Sequence, residues 1–345
     1  MEIESLIRPN IKKLKPYSSA RNEYSGEAMV FLDANENPFN QPYNRYPDPL
    51  QRQLKSKIAG IKHCRPEQIF LGNGSDEPID LVFRAFCEPG IDNMVSIDPT
   101  YGMYEVAAAI NNIEVRKSGL NENFRFKADK LLQETDSRTK LIFLCSPNNP
   151  TSNLMDKDEI LKVIADFQGI VILDEAYTDF APGATLLPEL EQYPNLVILQ
   201  TFSKAWGMAG MRLGMAFADP QIIQVFNKIK YPYNINILTQ QKALELTGLE
   251  QEKDKWVEML IGERTKLAEA LKQFSFVEKV FPSDANFLLI KMIDAYQVYR
   301  FLVKEGIIVR DRSKIALCSD SLRITVGSPD ENRTLLDTLQ NFCKN

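Results

Sequence analysis

A lysine among small residues, directly after an apolar run, is the strongest chemical signal in this chain. Lys204 stands in the segment T-F-S-K-A-W-G-M-A-G-M-R-L-G, which follows the run N-L-V-I-L-Q. Desolvation or a neighbouring cation lowers the pKa of a lysine and makes it a nucleophilic amine. Most lysines, however, are solvated surface residues. The neighbours of Lys204 therefore decide between these two interpretations.

An aspartate ends a second apolar run, V-I-L-D-E-A-Y, and a tyrosine follows three residues later. If Asp174 is buried it must meet a cation or strong donors, because an isolated buried carboxylate is costly. The alternative is that Asp174 only caps the next turn. Glu175 is interpreted as a local structural residue, since consecutive side chains usually diverge and cannot flank one bond as glycosidase carboxylates do. Asp174 and Tyr177 are the candidates for chemistry.

Two polar turns follow other apolar runs. G-N-G-S-D-E, residues 72–77, leads into a helical pattern; its glycines allow close backbone approach, and the free amides of a helix start bind anions. This turn matches neither a Walker A loop nor G-x-G-x-x-G, so those routes to nucleotide binding are not supported. S-P-N-N-P-T, residues 146–151, is a proline-restrained loop that displays Asn148 and Asn149.

Two arginines late in the chain are candidates for anion binding, and the chain has a single histidine. Arg323 in S-L-R-I-T-V-G and Arg310 in I-I-V-R-D-R-S suit bidentate recognition of carboxylate or phosphate. Single arginines are more often surface ion-pair partners. His63 is the one histidine, which excludes a His-rich metal site and makes any Ser-His or Cys-His pair depend on that residue. We expect no metal.

The candidate residues follow short Val/Ile/Leu runs that alternate with helical patterns between about residues 68 and 217. This alternation predicts an α/β fold, a large domain with a mostly parallel sheet flanked by helices. Ligands bind beyond the carboxyl ends of such strands. The C-terminal third reads as a smaller α+β unit. We predict a large domain over residues 31–245, and a small domain over 246–345 together with an N-terminal arm over 1–30.

Composition and charge exclude several classes of protein. The chain has 345 residues, 44% hydrophobic and 25% charged, as globular proteins do, and a net charge of −5 that gives no sign of nucleic-acid binding. No apolar run approaches the ~20 residues of a membrane span, and the first residues lack the apolar core of a signal peptide. Five scattered cysteines without C-x-x-C are typical of reduced thiols. We therefore expect a soluble cytoplasmic protein without a membrane or nucleic-acid partner.

The order of the motifs resembles that of the class I/II aminotransferases of the type I pyridoxal-phosphate fold. That order is N-G-S-D-E, P-T-Y-G-M-Y, S-P-N-N-P-T, D-E-A-Y, T-F-S-K and a late L-R-I-T-V-G, over nearly the whole chain. The segments L-K-P-Y-S-S-A-R, L-D-A-N-E-N-P, N-R-Y-P-D and I-I-V-R-D-R-S are most similar to the histidinol-phosphate aminotransferases. The alternatives are an aromatic or general amino-acid aminotransferase and a lyase of the threonine-phosphate decarboxylase type. Retention of Lys204, Asp174, Tyr177 and Arg212 together argues against a non-catalytic scaffold.

The resemblance implies the cofactor pyridoxal 5′-phosphate and a role for each motif. Lys204 would bond to the cofactor aldehyde and then carry the proton between the substrate Cα and the cofactor. Asp174 would keep the pyridine nitrogen protonated. Asn149 and Tyr177 would bond the cofactor's phenolic oxygen. The remaining implied cofactor contacts are a stacking Tyr101 and a phosphate site of Gly74, Ser75, Asp76, Thr201, Ser203 and Arg212.

The resemblance also implies the substrates and a homodimer. Tyr46 of R-Y-P would reach the phosphate of the cofactor in the neighbouring subunit. Arg323 would clamp the carboxylate of glutamate and 2-oxoglutarate. Arg310, with Tyr17 and Asn35, would contact the phosphate of histidinol phosphate. The implied reaction converts histidinol phosphate and 2-oxoglutarate to imidazole-acetol phosphate and glutamate, a step of histidine biosynthesis.

One residue departs from the family pattern. The family commonly has N-P-T-G where this chain has N-P-T-S, so that Ser152 occupies the place of the glycine. If the backbone requires a positive φ there, serine costs about 1 kcal/mol. Asn149 is retained, so cofactor binding is expected to be unaffected.

Overall fold

The computed structural model describes residues 2–17 and 29–343. The predicted N-terminal arm is therefore described only in part, and residues 18–21 of L-K-P-Y-S-S-A-R lie outside the described residues. The helices are α1 Ile3–Leu6, α2 Pro9–Lys13, α3 Arg52–Lys62, α4 Asp76–Phe86, α5 Met103–Ile110, α6 Ala128–Gln133, α7 Lys157–Asp166, α8 Pro220–Ile229, α9 Ile237–Leu246, α10 Glu250–Leu271, α11 Ala295–Lys304 and α12 Pro329–Phe342. The strands are β1 Ile69–Asn73, β2 Asn93–Asp98, β3 Glu114–Gly119, β4 Thr139–Cys145, β5 Ile170–Asp174, β6 Leu196–Thr201, β7 Leu213–Ala218, β8 Val277–Val280, β9 Phe287–Met292, β10 Arg310–Asp311 and β11 Ser321–Thr325.

A seven-stranded sheet forms the larger body, in the order β1-β7-β6-β5-β4-β2-β3. The strands from β3 to β6 pair in parallel, whereas β7 pairs antiparallel with both β6 and β1. The predicted α/β class with a mostly parallel sheet is confirmed. Parallel strands are joined by crossover connections, and in this sheet those connections contain helices. The sequence therefore shows apolar runs that alternate with helical patterns.

Both faces of the inner strands are buried, because helices cover the sheet on each side and successive side chains of a strand point to opposite sides. The edge strand β3 is more exposed. In β5, Val171 and Leu173 join the apolar cluster under α3, α6, α7 and α9. Ile170 and Ile172 join the cluster under α1, α4, α5 and α8. A strand covered on both faces has no polar alternation. The continuous runs in the sequence therefore have a direct physical cause.

A second, antiparallel sheet has the order β10-β11-β9-β8. Its core contains side chains of α10, α11 and α12. This confirms the smaller α+β unit of the fold class, while the domain bounds at residues 30 and 245 stay a prediction. In the part of the chain that the structure describes, no helix is long and apolar enough to cross a bilayer.

A hydrogen-bonded tether joins the loop after β4 to the segment before β9. The Asp284 N–H donates to the Ser152 carbonyl at 2.8 Å, and the Leu154 N–H donates to the Asp284 carboxylate at 2.7 Å. The Ser152 hydroxyl donates to the Pro282 carbonyl at 3.2 Å. Ser152 is fully buried with φ +65°, so the backbone does adopt the conformation that favours glycine.

Candidate active site

The predicted chemistry-bearing residues meet at the carboxyl edge of the seven-stranded sheet. A cavity of about 420 Å³ opens there, between that edge and β10–β11. Its lining consists of Gly74, Ser75, Asp76, Tyr101, Cys145, Asn149, Asp174, Ala176, Tyr177, Thr201, Ser203, Lys204, Ala209, Arg212, Arg310, Arg312 and Arg323. The candidate residues therefore line one cavity at the edge where parallel sheets bind their ligands.

Asp174 forms the floor of the cavity and is 2% exposed. Its carboxylate accepts hydrogen bonds from the Tyr104 hydroxyl at 2.7 Å and from the Ala176 N–H at 3.0 Å. Among the described residues, no lysine or arginine forms an ion pair with it. Burial therefore raises the pKa of Asp174 above its ordinary value, and the Tyr104 bond opposes that shift only in part. A cationic group in the cavity would stabilise the ionised form.

Lys204 follows β6 and is exposed to the cavity, not enclosed in the core. Its ammonium lies 5.5 Å from the centre of the Tyr177 ring. Desolvation in the cavity and the positive charge of Arg323 lower the pKa of Lys204, while Asp174 opposes them. A lowered pKa leaves more of the side chain as the free amine, which is the form that attacks a carbonyl or accepts a proton.

Asn149 connects the floor of the cavity to the second sheet. Its amide nitrogen lies 3.4 Å from the Tyr177 hydroxyl, and its amide oxygen accepts a bond from Arg323 Nη1 at 2.6 Å. The neighbouring Asn148 bonds Thr100 and other loop atoms, so it has a structural role. Burial raises the pKa of Tyr177, which keeps its hydroxyl protonated as a donor.

The turn after β1 forms the anion-binding end of the cavity. Gly74 has φ +68°, and a Cβ built there would lie 2.7 Å from Arg212 Nη2. The Arg212 guanidinium pairs with Asp76 at 3.3 Å. Ser75 is the N-cap residue of α4, but its side chain makes no hydrogen bond to the first amides of the helix. Those amides are therefore open to a ligand. Helix amides and a guanidinium together suit a phosphate.

The remaining predicted cofactor contacts border this anion-binding end. The Thr201 hydroxyl accepts a bond from the Ser203 N–H at 3.1 Å, which shapes the turn that leads to Lys204. Tyr101 packs edge-on against Tyr104 with ring centres 5.5 Å apart. Burial and the carboxylates nearby raise the pKa of Tyr101 to about 12.

Three predicted contacts lie away from this cavity. Tyr46 is half exposed and stacks on Tyr233 with ring centres 4.3 Å apart. Tyr17 is 70% exposed, and Asn35 lies on the exposed surface. The single described chain does not bring these side chains to Lys204.

Glu175, unlike Asp174, points away from the cavity. Its carboxylate accepts hydrogen bonds from Thr185 at 2.6 Å, from the Leu186 N–H at 2.7 Å and from Gln200 at 2.9 Å. Its interpretation as a local structural residue is confirmed. In the described ranges no group of three His, Cys, Asp or Glu side chains could hold a metal ion.

Sequence reasoning missed two residues of the site, Tyr104 and Arg312. Tyr104 lies in the first turn of α5, and Tyr101 stands three residues earlier in the loop before that helix. Arg312 directly follows β10 and stands two residues after Arg310. Both residues belong to motifs already singled out, P-T-Y-G-M-Y and I-I-V-R-D-R-S.

Comparison with known proteins identifies the family of this chain. The model of the family aminotransferase class I and II matches residues 20–339, and the chain belongs to that family. Histidinol-phosphate aminotransferases of Bacteroides fragilis and Parabacteroides distasonis are 60% and 56% identical to it, each over 99% of both chains. Among solved structures, the histidinol-phosphate aminotransferase of Clostridium acetobutylicum has a TM-score of 0.80 at 25% identity, covering 87% of this chain and 91% of that one.

The donors of the cavity fit the cofactor of this class, pyridoxal 5′-phosphate. The buried Asp174 carboxylate has no cationic ion-pair partner among the described residues, which suits a protonated pyridine nitrogen. The open helix amides and Arg212 suit the phosphate. Lys204 reaches the same cavity and is the one lysine of its lining. The pyridine nitrogen, the phosphate and the aldehyde of the cofactor therefore each have a suitable group in this cavity.

Proposed function

We propose that this chain catalyses transamination between L-histidinol phosphate and 2-oxoglutarate, giving imidazole-acetol phosphate and L-glutamate in histidine biosynthesis. The carrying observation is the single cavity that holds Lys204, the buried Asp174 and two cationic ends. The 60% identity to a histidinol-phosphate aminotransferase supports the choice of substrate.

Each residue of the cofactor end has a separate role in this proposal. Bound pyridoxal phosphate supplies an electron sink for the pair left at the substrate Cα when its proton departs. Lys204 would bond the cofactor aldehyde and, once the substrate amine has displaced it, would move the Cα proton as a free amine, aided by its lowered pKa. Asp174 would keep a proton on the pyridine nitrogen. Asn149 and Tyr177 would bond the phenolic oxygen, and Tyr101 would stack on the ring.

The turn after β1 would hold the phosphate of the cofactor. The amides of Ser75 and Asp76 would bind the phosphate, whereas the Gly74 N–H already donates to the Arg212 carbonyl at 2.8 Å. Arg212 would supply the guanidinium, and Asp76 holds that guanidinium in place. Thr201 and Ser203 complete this contact from the turn after β6. Charge and helix amides at one point favour a dianion over a neutral group.

The arginine end receives the substrates. Arg323 binds the α-carboxylate of glutamate and 2-oxoglutarate, and its bond to Asn149 fixes its direction. Arg310, opposite Arg323 in the β10–β11 ladder, contacts the phosphate of histidinol phosphate. One cationic end can serve both substrates because they occupy it in alternate halves of a ping-pong cycle.

The two alternatives are not favoured. An aromatic or general amino-acid aminotransferase and a threonine-phosphate decarboxylase-type lyase would share the fold and the cofactor. Relatives between 48% and 60% identical over nearly the whole chain carry instead the name histidinol-phosphate aminotransferase. The decarboxylase has no need for glutamate, whereas the transaminase must react with it.

The functional unit we propose is a cytoplasmic homodimer whose sites share residues. Tyr46, half exposed beside other exposed aromatic rings such as Phe39 and Tyr43, is placed on a surface that a second copy could cover. Its hydroxyl would reach the phosphate of the partner's cofactor. Tyr17 and Asn35 would join Arg310 at the substrate phosphate once the arm and the second subunit are in place.

A half-reaction tests the substrate assignment. The cofactor-loaded protein is mixed with histidinol phosphate, glutamate or phenylalanine without a keto acid, and the absorbance of the bound cofactor is followed. We expect fast loss of that absorbance with the first two and little with phenylalanine. Reaction with phenylalanine but not with histidinol phosphate would instead place the protein among the aromatic aminotransferases.

Subunit mixing tests the role of Tyr46. Lys204→Ala and Tyr46→Ala are each expected to be nearly inactive, and a heterodimer of the two has one intact site if Tyr46 acts across the interface. Mixing should then restore about a quarter of the parent activity, since about half of random dimers are mixed and each has one good site. No recovery, or a monomer in sedimentation, would contradict the shared site.

A further inference from the structure

The charges in the cavity do not balance. Its lining carries five cationic side chains and two carboxylates. One carboxylate, Asp76, already pairs with Arg212, and the other, Asp174, bonds Tyr104. The three arginines near β10–β11 therefore have no carboxylate partner among the described residues. Desolvated cations without counter-ions are costly, so an anionic ligand is the natural complement of this end.

Arg312 is the least compensated of the three. Arg323 bonds Asn149 and lies over the Phe287 ring, and Arg310 is exposed to solvent. Arg312 is half-buried, and its Nε is buried without a hydrogen-bond partner in the described structure. Burial and the two neighbouring guanidinium groups lower the pKa of Arg312 to about 10.

The backbone holds Arg312 at a fixed point. Its N–H donates to the Ser321 carbonyl at 2.9 Å, and its carbonyl accepts from the Ile315 N–H at 2.8 Å. The preceding Asp311 carboxylate accepts the Ser313 N–H at 2.8 Å and so closes the turn. A side chain carried on such a turn is pre-organised, which reduces the entropy lost when it binds a ligand.

Arg312 also stands at a boundary. It lines both the catalytic cavity and an adjoining cavity of about 420 Å³, and Tyr101 and Asn149 line both as well. In the adjoining cavity Lys117 is paired with Glu105 at 2.6 Å, whereas Lys314 is exposed. A ligand that reacts near Lys204 and extends past Tyr101 would meet the guanidinium of Arg312.

We propose that Arg312 is a specificity-determining residue that binds the anionic group at the end of the substrate side chain. This group is the phosphate of histidinol phosphate, which is the only anionic group of that substrate, and the distal carboxylate of glutamate and 2-oxoglutarate. The inference rests on the proposed transamination and extends it. Substrate contacts to Arg323 and Arg310 alone would leave the buried Nε of Arg312 without a hydrogen-bond partner. The planar fork of an arginine matches both a carboxylate and a phosphate, whereas an ammonium would act only as a point charge.

Pairs of substrates with and without this side-chain anion test the role of Arg312. Single-turnover rates of the cofactor-loaded enzyme are measured with glutamate against alanine and with histidinol phosphate against histidinol. For Arg312→Gln we expect the second-order rate constant of the half-reaction to fall about 10- to 100-fold for glutamate and histidinol phosphate and less than about 3-fold for alanine and histidinol. Arg312→Lys should recover part of the loss, because it restores the charge but not the fork.

Two controls separate the specific effect from a general one. Lys314→Gln removes an exposed cation two residues away and should leave all four rates within about 2-fold of the parent. Calorimetry with glutarate gives a readout apart from turnover, and Arg312→Gln should bind it at least about 10-fold more weakly.

The possible failures are distinguishable. Equal loss for alanine and glutamate, or unchanged glutarate binding in Arg312→Gln, overturns the role of Arg312. Failure of the parent to react with histidinol phosphate overturns the proposed function instead. A drop in melting temperature in Arg312→Gln but not in Arg312→Lys, with both binding glutarate like the parent, would assign Arg312 to the fold.

Discussion

The two ends of the active-site cavity are built on opposite principles. At the cofactor end, Asp174 bonds Tyr104 and Ala176, and Asp76 pairs with Arg212, so the charged groups are fixed before any ligand arrives. At the arginine end, β10 and β11 present guanidinium groups with no carboxylate among the described residues to hold them.

The difference follows from what each end must bind. The cofactor stays in place through both half-reactions, and a preset frame aligns it without reorganisation. The substrates alternate and differ in shape, so a local counter-ion would compete with each of them in turn. Unpaired cations are a cost in stability at the arginine end, and binding recovers it only when an anion is present.

Removal of the amine at the cofactor end should have the largest effect. Lys204→Ala is expected to reduce the half-reaction with glutamate at least ~10⁴-fold, because both the bond to the cofactor and the proton transfer are lost. Stopped-flow absorbance measures the rate. The variant should still bind the cofactor non-covalently, which equilibrium dialysis would detect. Substantial steady-state transamination by this variant would refute the assignment.

Neutralising the floor of the cavity should come next. Asp174→Asn keeps the shape of the side chain but removes the charge that we propose holds a proton on the pyridine nitrogen. We expect kcat to fall about 10²- to 10³-fold. Glu175→Gln is the matched control one residue along; it should lower the melting temperature and leave kcat within about 3-fold. If the two variants lost kcat equally, the contrast between these carboxylates would be wrong.

At the arginine end, Arg323→Ala should distinguish substrate from cofactor. We expect kcat/KM for 2-oxoglutarate to fall about 10²-fold, since a bidentate carboxylate partner is lost. The dissociation constant of the cofactor should change far less, because Arg212 and the α4 amides stay in place. Steady-state kinetics and a fluorescence titration of the cofactor provide the two numbers. Kinetics with 2-oxoglutarate equal to the parent's would remove Arg323 from its role.

A buried cation elsewhere tests whether a missing partner marks function by itself. Lys55 is 6% exposed, and its ammonium has no hydrogen bond or ion pair among the described residues; burial and Lys230 lower its pKa to about 8. The unfolded chain then holds this proton more tightly, so the Lys55 contribution to stability rises with pH between about 8 and 10.5.

Lys55→Met should therefore stabilise the fold most near pH 7, by about 1 to 3 kcal/mol, and much less near pH 10. Urea unfolding at both pH values measures the difference, and cofactor-loaded activity should stay within about 2-fold. A variant that loses activity would show that an unpartnered cation is a functional sign in this molecule even outside the cavity.

Substitutions in the tether between the loop after β4 and the segment before β9 should have the smallest effect. Ser152→Gly relieves the positive φ, worth about 1 kcal/mol, but loses the hydroxyl bond to Pro282, worth a similar amount. We expect the free energy of unfolding to change by less than about 1 kcal/mol and kcat by less than about 2-fold. Ser152→Ala, which keeps the strain and loses the bond, should be the less stable of the two variants.

The cofactor end was more predictable from sequence than the arginine end. Asp174, Asn149 and Lys204 follow apolar strands directly, and the geometry of a parallel sheet brings such positions together. Arg312 lies in a turn of the small sheet, and only its spacing from Arg310 pointed to it. Tyr46, Tyr17 and Asn35 could not be placed by strand order, because the partner surface that would bring them to a site is not encoded in local periodicity.

The packing of Gly214 has a consequence for how this site can change. A Cβ built there would lie 2.2 Å from the Ser75 nitrogen, because β7 runs backbone against backbone with the turn after β1. No side chain can enter without displacing the very amides offered to the phosphate. A bulkier or altered cofactor therefore cannot be accommodated from this side. The side chains of Arg310 and Arg312 at the arginine end are exposed or half-buried and have no such backbone contact, so a change of specificity is easier there.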